Sequence, residues 1–390
     1  MRILHVTREN DSDRRFGIGR SLMPVIRELE AGGHHIRYLY QNDLGMAARR
    51  WQQRLLAKLG GAMRWLWGDA GPILLYVWLE RLNMGRLAAG VAARENYDCV
   101  HLHDPWLAWG YWLSRPFYGN RQARWGVTEH GFGSYTQATR EEGVNYSNRL
   151  LRWHHRLERF ILARADWVAC PTEAAQTQLQ RDLQITGQPP HWKVVSHARP
   201  ELPLQPKQAA RAALGWQDTD FHLLAIGRIA PVKRFPLLIE ACIATQRPMH
   251  ITILGNGDVT PLQQQLDRAG ASWIRLQAFS ADHELLATHL SAADLYVSTS
   301  LNESFGLANV EALAHGLPAI CTAVGGVAEA TRGGAWLMPG NGAALTLAIQ
   351  TLYDDAFLCK KWSSAGKRCA SELPDAKAVA AQYECLYRSG

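Results

Sequence analysis

The sequence predicts an α/β protein of two doubly wound domains, each a parallel sheet with helices on both faces, facing each other across a cleft. Three observations predict it. Short β-branched runs alternate with helical periodicity from one end to the other. The series breaks once, between Arg199 and Ala209, where Pro200, Pro203 and Pro206 stand among polar residues as in a linker. At ~150 residues per domain, a chain of 390 holds two or three domains.

The first strand-like runs are Ile3–Thr7, His35–Tyr40, Cys99–His103, Gly126–His130, Trp167–Cys170 and Lys193–Ser196. The second series is Phe221–Ile226, His250–Leu254, Trp273–Leu276, Asp294–Ser298 and Pro318–Cys321. Helices lie between them. In Ser21–Ala31, Leu22, Val25, Ile26 and Leu29 fall on one face, and Gly32-Gly33 supplies the stop. The expected domains are 1–197 and 198–372, followed by a segment 373–390 that is helical over Asp375–Tyr387.

Composition narrows the function. Hydrophobic residues at 47% and charged residues at 20% describe a folded globular chain. A net charge of +7 suits anionic ligands or surfaces and is too small and too dispersed to argue for nucleic acid. Seven widely spaced cysteines without a C-x-x-C argue against a disulfide framework and common zinc spacings, and fit a reducing cytoplasm. Met1–Thr7 reads as a strand rather than a signal peptide, and no apolar run reaches the ~20 residues of a spanning helix. Surface attachment stays open.

One stretch departs from the rhythm. Met46–Glu95 carries eight Lys/Arg and three Asp/Glu, with Trp51, Leu55 and Leu59 on one helical stripe beside Arg50, Arg54 and Lys58. Two readings stand: a helical hairpin packed on the first domain, or a basic aromatic face for an anionic membrane or amphiphilic acceptor.

Chemistry is concentrated in Ser298–Pro318. A strand ends at Ser298, a loop carries Glu303, and Ser304 is the expected N-cap of a helix ended by Gly316. Glu311 then stands about two turns inside that helix. Gly306 lets a ligand approach helix-end amides, whose partial positive charge suits phosphate. Glu303 and Glu311 would grip hydroxyls on either side of a diphosphate. A second loop, Ile226-Gly227-Arg228 to Lys233, places two cations after a strand, at the edge where open α/β sheets bind ligands. They can neutralise a departing diphosphate as Mg²⁺ does elsewhere.

G-R-x4-K, E-x7-E and Gly325-Gly326-Val-Ala-Glu329 together resemble the donor half of the family 4 retaining glycosyltransferases of GT-B fold. The first half resembles that family too. Phe16-Gly17-Ile-Gly19-Arg20 is similar to its glycine-rich loop, and Cys99–Asp104 and Thr128–Gly131 to its histidine-bearing strand ends. Ala165–Glu173 is similar to its strand–turn–helix late in the acceptor domain. Only 46–95 lies outside the resemblance.

The resemblance implies a hexosyltransferase that retains anomeric configuration and needs no metal or other cofactor. Arg228 and Lys233 would hold the donor diphosphate with the amides around Ser304, Phe305, Gly306 and Leu307. Glu303 would hold the transferred sugar, Glu311 the ribose, and His130 the sugar near the reacting centre. Gly17 and Gly19 would shape the floor beneath phosphate and acceptor. Acceptor-side candidates are Arg14, Arg15, His101 and His103. The implied partners are a nucleotide-sugar, with UDP-hexose the default, and a glycan or lipid-linked acceptor of bacterial polysaccharide or lipopolysaccharide synthesis. Residues 46–95 add an anionic membrane surface, and the final helix crosses back to the first domain.

The sequence departs from the family pattern at Arg234, where Gly is usual, at Ser304, and at Ser196–Arg199, which replaces an Asn-Gly turn. Alternatives are an oxidoreductase or epimerase of doubly wound fold and a non-catalytic sugar-nucleotide binder. Against the first, Leu22 occupies the third glycine position of G-x-G-x-x-G. A glycosidase needs carboxyls ~5 Å apart across the bond, which the Glu303/Glu311 spacing does not demand. Asp11-Ser-Asp13 and Asp218-Thr-Asp220 read as turn residues rather than metal ligands. His101 and His103 share a strand face as two metal ligands could, without an evident third.

Overall fold

The computed structural model describes residues 1–9, 17–119, 122–141, 144, 147–278 and 283–388. It divides into two compact units, Met1–His197 with Ala376–Gly390, and Ala198–Asp375.

The first unit opens with β1 (Arg2–Val6), α1 (Gly17–Ala31), β2 (His35–Leu39), α2 (Met46–Trp67) and α3 (Ala70–Arg94). It continues with β3 (Cys99–Leu102), α4 (Pro105–Ser114), β4 (Arg124–Thr128), α5 (Tyr135–Glu141) and α6 (Asn148–Leu162). β5 (Trp167–Cys170), α7 (Glu173–Asp182) and β6 (Trp192–Val194) complete its sheet, all parallel, in the order β2-β1-β3-β4-β5-β6. Caps are local and legible: Asp104 accepts from the amides of Trp106 and Leu107 to start α4, with Pro105 at the first turn. Gly33, at φ 84°, closes α1, and the His34 amide reaches back to the Leu29 carbonyl.

The second unit holds α8 (Lys207–Leu214), β7 (His222–Ile226), α9 (Phe235–Thr245), β8 (His250–Leu254), α10 (Thr260–Ala269) and β9 (Ile274–Gln277). Then come α11 (His283–Ala292), β10 (Leu295–Ser298), α12 (Leu307–Ala314), β11 (Ala319–Thr322), α13 (Val327–Thr331) and β12 (Trp336–Met338). α14 (Gly342–Asp354) and α15 (Ala356–Ser371) end it, and the strand order is β12-β11-β10-β7-β8-β9, again parallel. The strand β12 escaped the sequence reading because three residues without a β-branched side chain carry no periodicity. Double winding shows in β7: Leu223 and Ala225 join the core on one face, Leu224 and Ile226 the core on the other.

The stretch 46–95 forms the hairpin α2–α3. The second helix crosses α4 backbone to backbone: a Cβ on Gly85 would lie 2.2 Å from the Gly110 carbonyl carbon, so neither position tolerates a side chain. That helix buries Leu74, Leu79, Met84 and Ala88, so packing accounts for α3, while most of α2 faces solvent. The last helix, α16 (Ala376–Arg388), packs against α1 within the first unit. Among the described residues no helix is long and apolar enough to cross a membrane.

Candidate functional site

Strand order reverses once in each sheet, between β7 and β10 in the second unit and between β1 and β3 in the first. Open α/β sheets leave a crevice at such a point, beyond the carboxyl ends of the strands. Both motif loops of the second unit emerge there. After β7 comes Arg228, exposed, then a single 3₁₀ turn, Pro231–Lys233. After β10 comes the loop bearing Glu303.

Hydrogen bonds to main-chain carbonyls sew these loops together. Thr299 donates its hydroxyl to the Lys233 carbonyl at 2.7 Å, and the Leu301 amide donates to the Val232 carbonyl at 2.7 Å. The outcome is an ion pair: Lys233 Nζ donates to Glu303 Oε1, to which Ser300 also donates its hydroxyl at 2.8 Å. A third loop closes the frame, the Gly326 amide donating to the Glu303 carbonyl at 2.9 Å. The two side chains keep 22% and 15% of their surface, covered enough to be ordered and open enough to meet a ligand.

The helix after Glu303 begins later than its sequence suggests. Gly306, at φ 82°, is the N-cap and no side chain caps it, so Ser304 does not start the helix. The reason is Phe305, which turns inward to pack with Val310, Ala330 and Leu373 and so draws two more residues into the loop. Glu311 is therefore the fifth helical residue, little more than one turn in, and only 3% exposed. Amides at the first turn of a helix lack intrahelical acceptors, and here they begin at Leu307, beside Gly306. Tyr296 donates to Asn309 Oδ1 at 3.0 Å beneath this helix. Burial, then the charges of Cys321, Glu303 and Glu311, push its phenol well above the usual range. Arg234 stands in the left-handed region at φ 51° and donates to the Gly340 carbonyl at 2.9 Å. Asp218 and Asp220 precede β7, at the opposite edge of the sheet, and Asp220 faces His250 at 3.3 Å.

In the first unit, Gly17 and Gly19 open α1, and the Gly19 amide donates to Glu9 Oε1 at 2.8 Å. His130 follows β4. His101 and His103 are 0% and 3% exposed, and Tyr383 and Tyr387 of α16 lie 5.1 and 5.8 Å from the His101 ring between centroids. His101 places Nδ1 at 2.8 Å from the Tyr387 hydroxyl and Nε2 at 2.7 Å from Thr128 Oγ1. His103 places Nδ1 at 3.0 Å from His130 Nε2 and its own Nε2 at 3.0 Å from His5 Nδ1. His5, His101 and His103 bring ligand atoms within 4.8 Å of one another, so the third metal-ligand candidate missing from the sequence reading is His5. No sequence motif marks it; the pairing of β1 with β3 puts His5 opposite His101. The nitrogens of His101 and His103 are engaged with the partners just described. Arg14, Arg15 and the Asp11/Asp13 pair lie outside the described residues.

Three charged residues, Glu80, Arg81 and Asp104, form a second cluster that is buried. Exposed Arg8, past β1, meets Asp104 at 3.1 Å, and Arg81 from α3 bonds Glu80 and reaches the Tyr135 hydroxyl at 3.0 Å. Nearby, Glu129 accepts the Gly131 amide at 2.9 Å, and burial with the Asp104 charge pushes its carboxyl up to about 8. On the surface, α6 exposes Arg149, Arg152, Arg156 and Arg159 with Trp153, while its glutamate, Glu158, is buried. Edge-on contacts Trp67–Trp78 and Trp78–Trp153, at 5.8 and 5.7 Å, link it to the α2–α3 hairpin.

Residues 17–192 match the family described as Glycosyltransferase Family 4, and residues 206–368 that described as Glycosyl transferases group 1. A D-inositol 3-phosphate glycosyltransferase of Geodermatophilus obscurus is 32% identical over 259 residues, 61% of this chain and 55% of that protein. The chain thus spans about half the length of the curated relatives it matches. Sucrose-phosphate synthase of Thermosynechococcus elongatus superposes with a TM-score of 0.75 at 20% identity, covering 99% of this chain and 98% of that one. Anabaena HepE, solved with UDP and glucose, gives 0.70 at 18%, covering 99% of each. Those two likenesses speak for the fold, and the two family matches cover the halves of the chain in order. The chain belongs to the family 4 glycosyltransferases of GT-B fold.

Proposed function

We propose that the protein moves a hexose from a nucleotide-diphosphate sugar to a hydroxyl of a glycan or lipid-linked acceptor, with retention of configuration. The observation that carries this reading is the Lys233–Glu303 pair at the strand-order switch of the second unit. A cation and a carboxylate held side by side match a donor whose diphosphate and sugar are neighbours. Lys233 and Arg228 neutralise the diphosphate, with the amides from Gly306 to Leu307, and Glu303 orients the sugar. Glu311 serves the ribose and His130 meets the transferred sugar. Before donor arrives, Lys233 is already charge-paired, so binding exchanges a carboxylate partner for a phosphate one.

In the reaction the bond from the anomeric carbon to the phosphate oxygen breaks as negative charge builds on the leaving diphosphate. The acceptor oxygen bonds to the anomeric carbon on the same face, and its proton passes to the departing phosphate oxygen. No protein base is then required, and the two cations supply charge stabilisation that a divalent ion would otherwise give. UDP-hexose is the donor proposed first, a choice in keeping with the ligands of the Anabaena protein. Exposed arginines on α2 and α6, with Trp65 85% exposed, support a lipid-linked acceptor at an anionic membrane surface, as in lipopolysaccharide-type synthesis.

A thermal-shift screen of UDP-, GDP- and ADP-sugars tests the donor, since selective binding stabilises by RT ln(1+[L]/Kd). Proton NMR of the product then reads its anomeric configuration, with and without EDTA. No shift with any nucleotide-sugar sinks the reading; an inverted product or loss of activity in EDTA sinks its mechanism.

A further inference from the structure

We infer that His5 and His103 are positioning residues that fix which nitrogen of His130 carries its proton, through a chain of three imidazoles. The chain runs from His5 Nδ1 to His103 Nε2, then from His103 Nδ1 to His130 Nε2, each step 3.0 Å. The three rings come from β1, the end of β3 and the end of β4, strands that straddle the switch point of the first sheet. The rings of His5 and His103 are nearly parallel, 5.3 Å between centroids and 15° between planes, and those of His103 and His130 stand at 5.2 Å and 28°, a spacing that fits rings joined edge to edge through their nitrogens.

A neutral imidazole has one N–H and one bare nitrogen. Burial, and then the neighbouring histidines, lower the affinity of His103 for a second proton, and burial followed by His197 and Arg8 does so for His130. Two proton orders satisfy both bonds. If His130 donates from Nε2 to His103 Nδ1, then His103 must donate from Nε2 to His5 Nδ1, and all three rings are Nε2–H. In the reverse order all three are Nδ1–H. A mixed chain sets two donors or two bare nitrogens against each other at 3.0 Å. The remaining nitrogen of His130, Nδ1, is therefore an acceptor in one order and a donor in the other, and the choice is made for the chain as a whole. Carboxylates that hold a catalytic imidazole in one tautomer act on the same logic; here the holder is another imidazole. The consequence for transfer rests on the proposed role of His130 at the sugar.

The test begins without substrate. Nitrogen-15 NMR of the full chain with labelled histidine at neutral pH should show His5, His103 and His130 neutral and in one shared tautomer, assigned through His5→Asn and His103→Asn spectra. Mixed tautomers among the three, or a stoichiometric metal ion bound to these rings, overturn the inference. For transfer, His103→Phe should lower kcat about tenfold, as losing an orienting partner does elsewhere, with donor KM within a factor of about two. His103→Asn, whose side-chain atom stands near the Nδ1 position, should restore part of that rate. His103→Gln, which reaches His5 instead, should not. Equal rates in all three variants also overturn it. If no donor is ever turned over, the proposed function falls while the tautomer result stands on its own.

Discussion

The ammonium of Lys233 bonds the carboxylate of Glu303 although the two stand 70 residues apart, on loops that leave different strands. The loops are braced by the Leu301 amide and the Thr299 hydroxyl, which donate to the Val232 and Lys233 carbonyls, so the pair is a product of the frame rather than of two flexible side chains meeting. If Lys233 meets the leaving diphosphate as proposed, this preorganised cation is where the site should be most sensitive.

Lys233→Ala should lower kcat/KM for the nucleotide-sugar by ~10²–10³, the usual loss on removing one preorganised donor. Glu303→Gln should lower kcat more than it raises donor KM, because in the proposed site the carboxylate meets the sugar and the diphosphate contacts remain. Initial rates across donor concentrations check both. Near wild-type rates in both variants would remove the donor site from this loop pair.

Stability should peak near neutral pH. His101, His103 and His130 are held well below 6.5, and His154 and His197 at about 4, chiefly by burial. The unfolded chain binds their protons first, so their contribution is complete above pH 6.5 and is lost as pH falls towards 4. Glu129 and Glu158 run the other way, with carboxyls raised to about 8 and about 7 by burial. The folded chain keeps those protons, so that contribution is present below pH 4.5 and is lost as pH rises through 8. Urea denaturation from pH 4 to 9 should show a steep acid limb and a shallow alkaline one. Glu129→Gln, which still accepts the Gly131 amide, should flatten the alkaline limb.

Gly85→Ala should destabilise by about 1–3 kcal/mol or more, the range for overpacking, since the new methyl meets the Gly110 backbone. Gly60→Ala, on α2 with nothing within 4 Å of the new atom, should stabilise by ~0.5–1 kcal/mol through helix propensity. Denaturant midpoints of the two variants, moving in opposite directions, check the packing of α3 on α4.

Binding to anionic vesicles should depend on α2 and α6 together. Arg50→Glu/Arg54→Glu and Arg152→Glu/Arg156→Glu should each weaken it, by ~1 kcal/mol per cation removed, and salt should weaken the wild type. Cosedimentation with phosphatidylserine vesicles at low salt measures this. Equal binding to neutral vesicles would end the electrostatic claim.

The strand–helix alternation, the break at the prolines and the two motifs of the second unit were legible in the sequence, because periodicity and spacing are properties of neighbours along the chain. Eleven strand-like runs correspond to strands of the structure, and the family resemblance drawn from G-R-x4-K and E-x7-E is the family the chain belongs to. Local signals failed where a distant contact overruled them. Ser304 has the side chain of a cap, yet burial of Phe305 against Leu373 moves the helix start to Gly306. Glu80 and Arg81 sit in a stretch that could be read as a membrane face, and they are buried because α3 crosses α4 at Gly85. His5 carries no motif, and it gains a role only when strand order sets β1 against β3. What the sequence determined by itself was the alternation of strands and helices, with eleven of the strands, and the motifs that carry the family resemblance. Which side chains meet was decided by strand order and close packing, since those bring together residues that no periodicity relates.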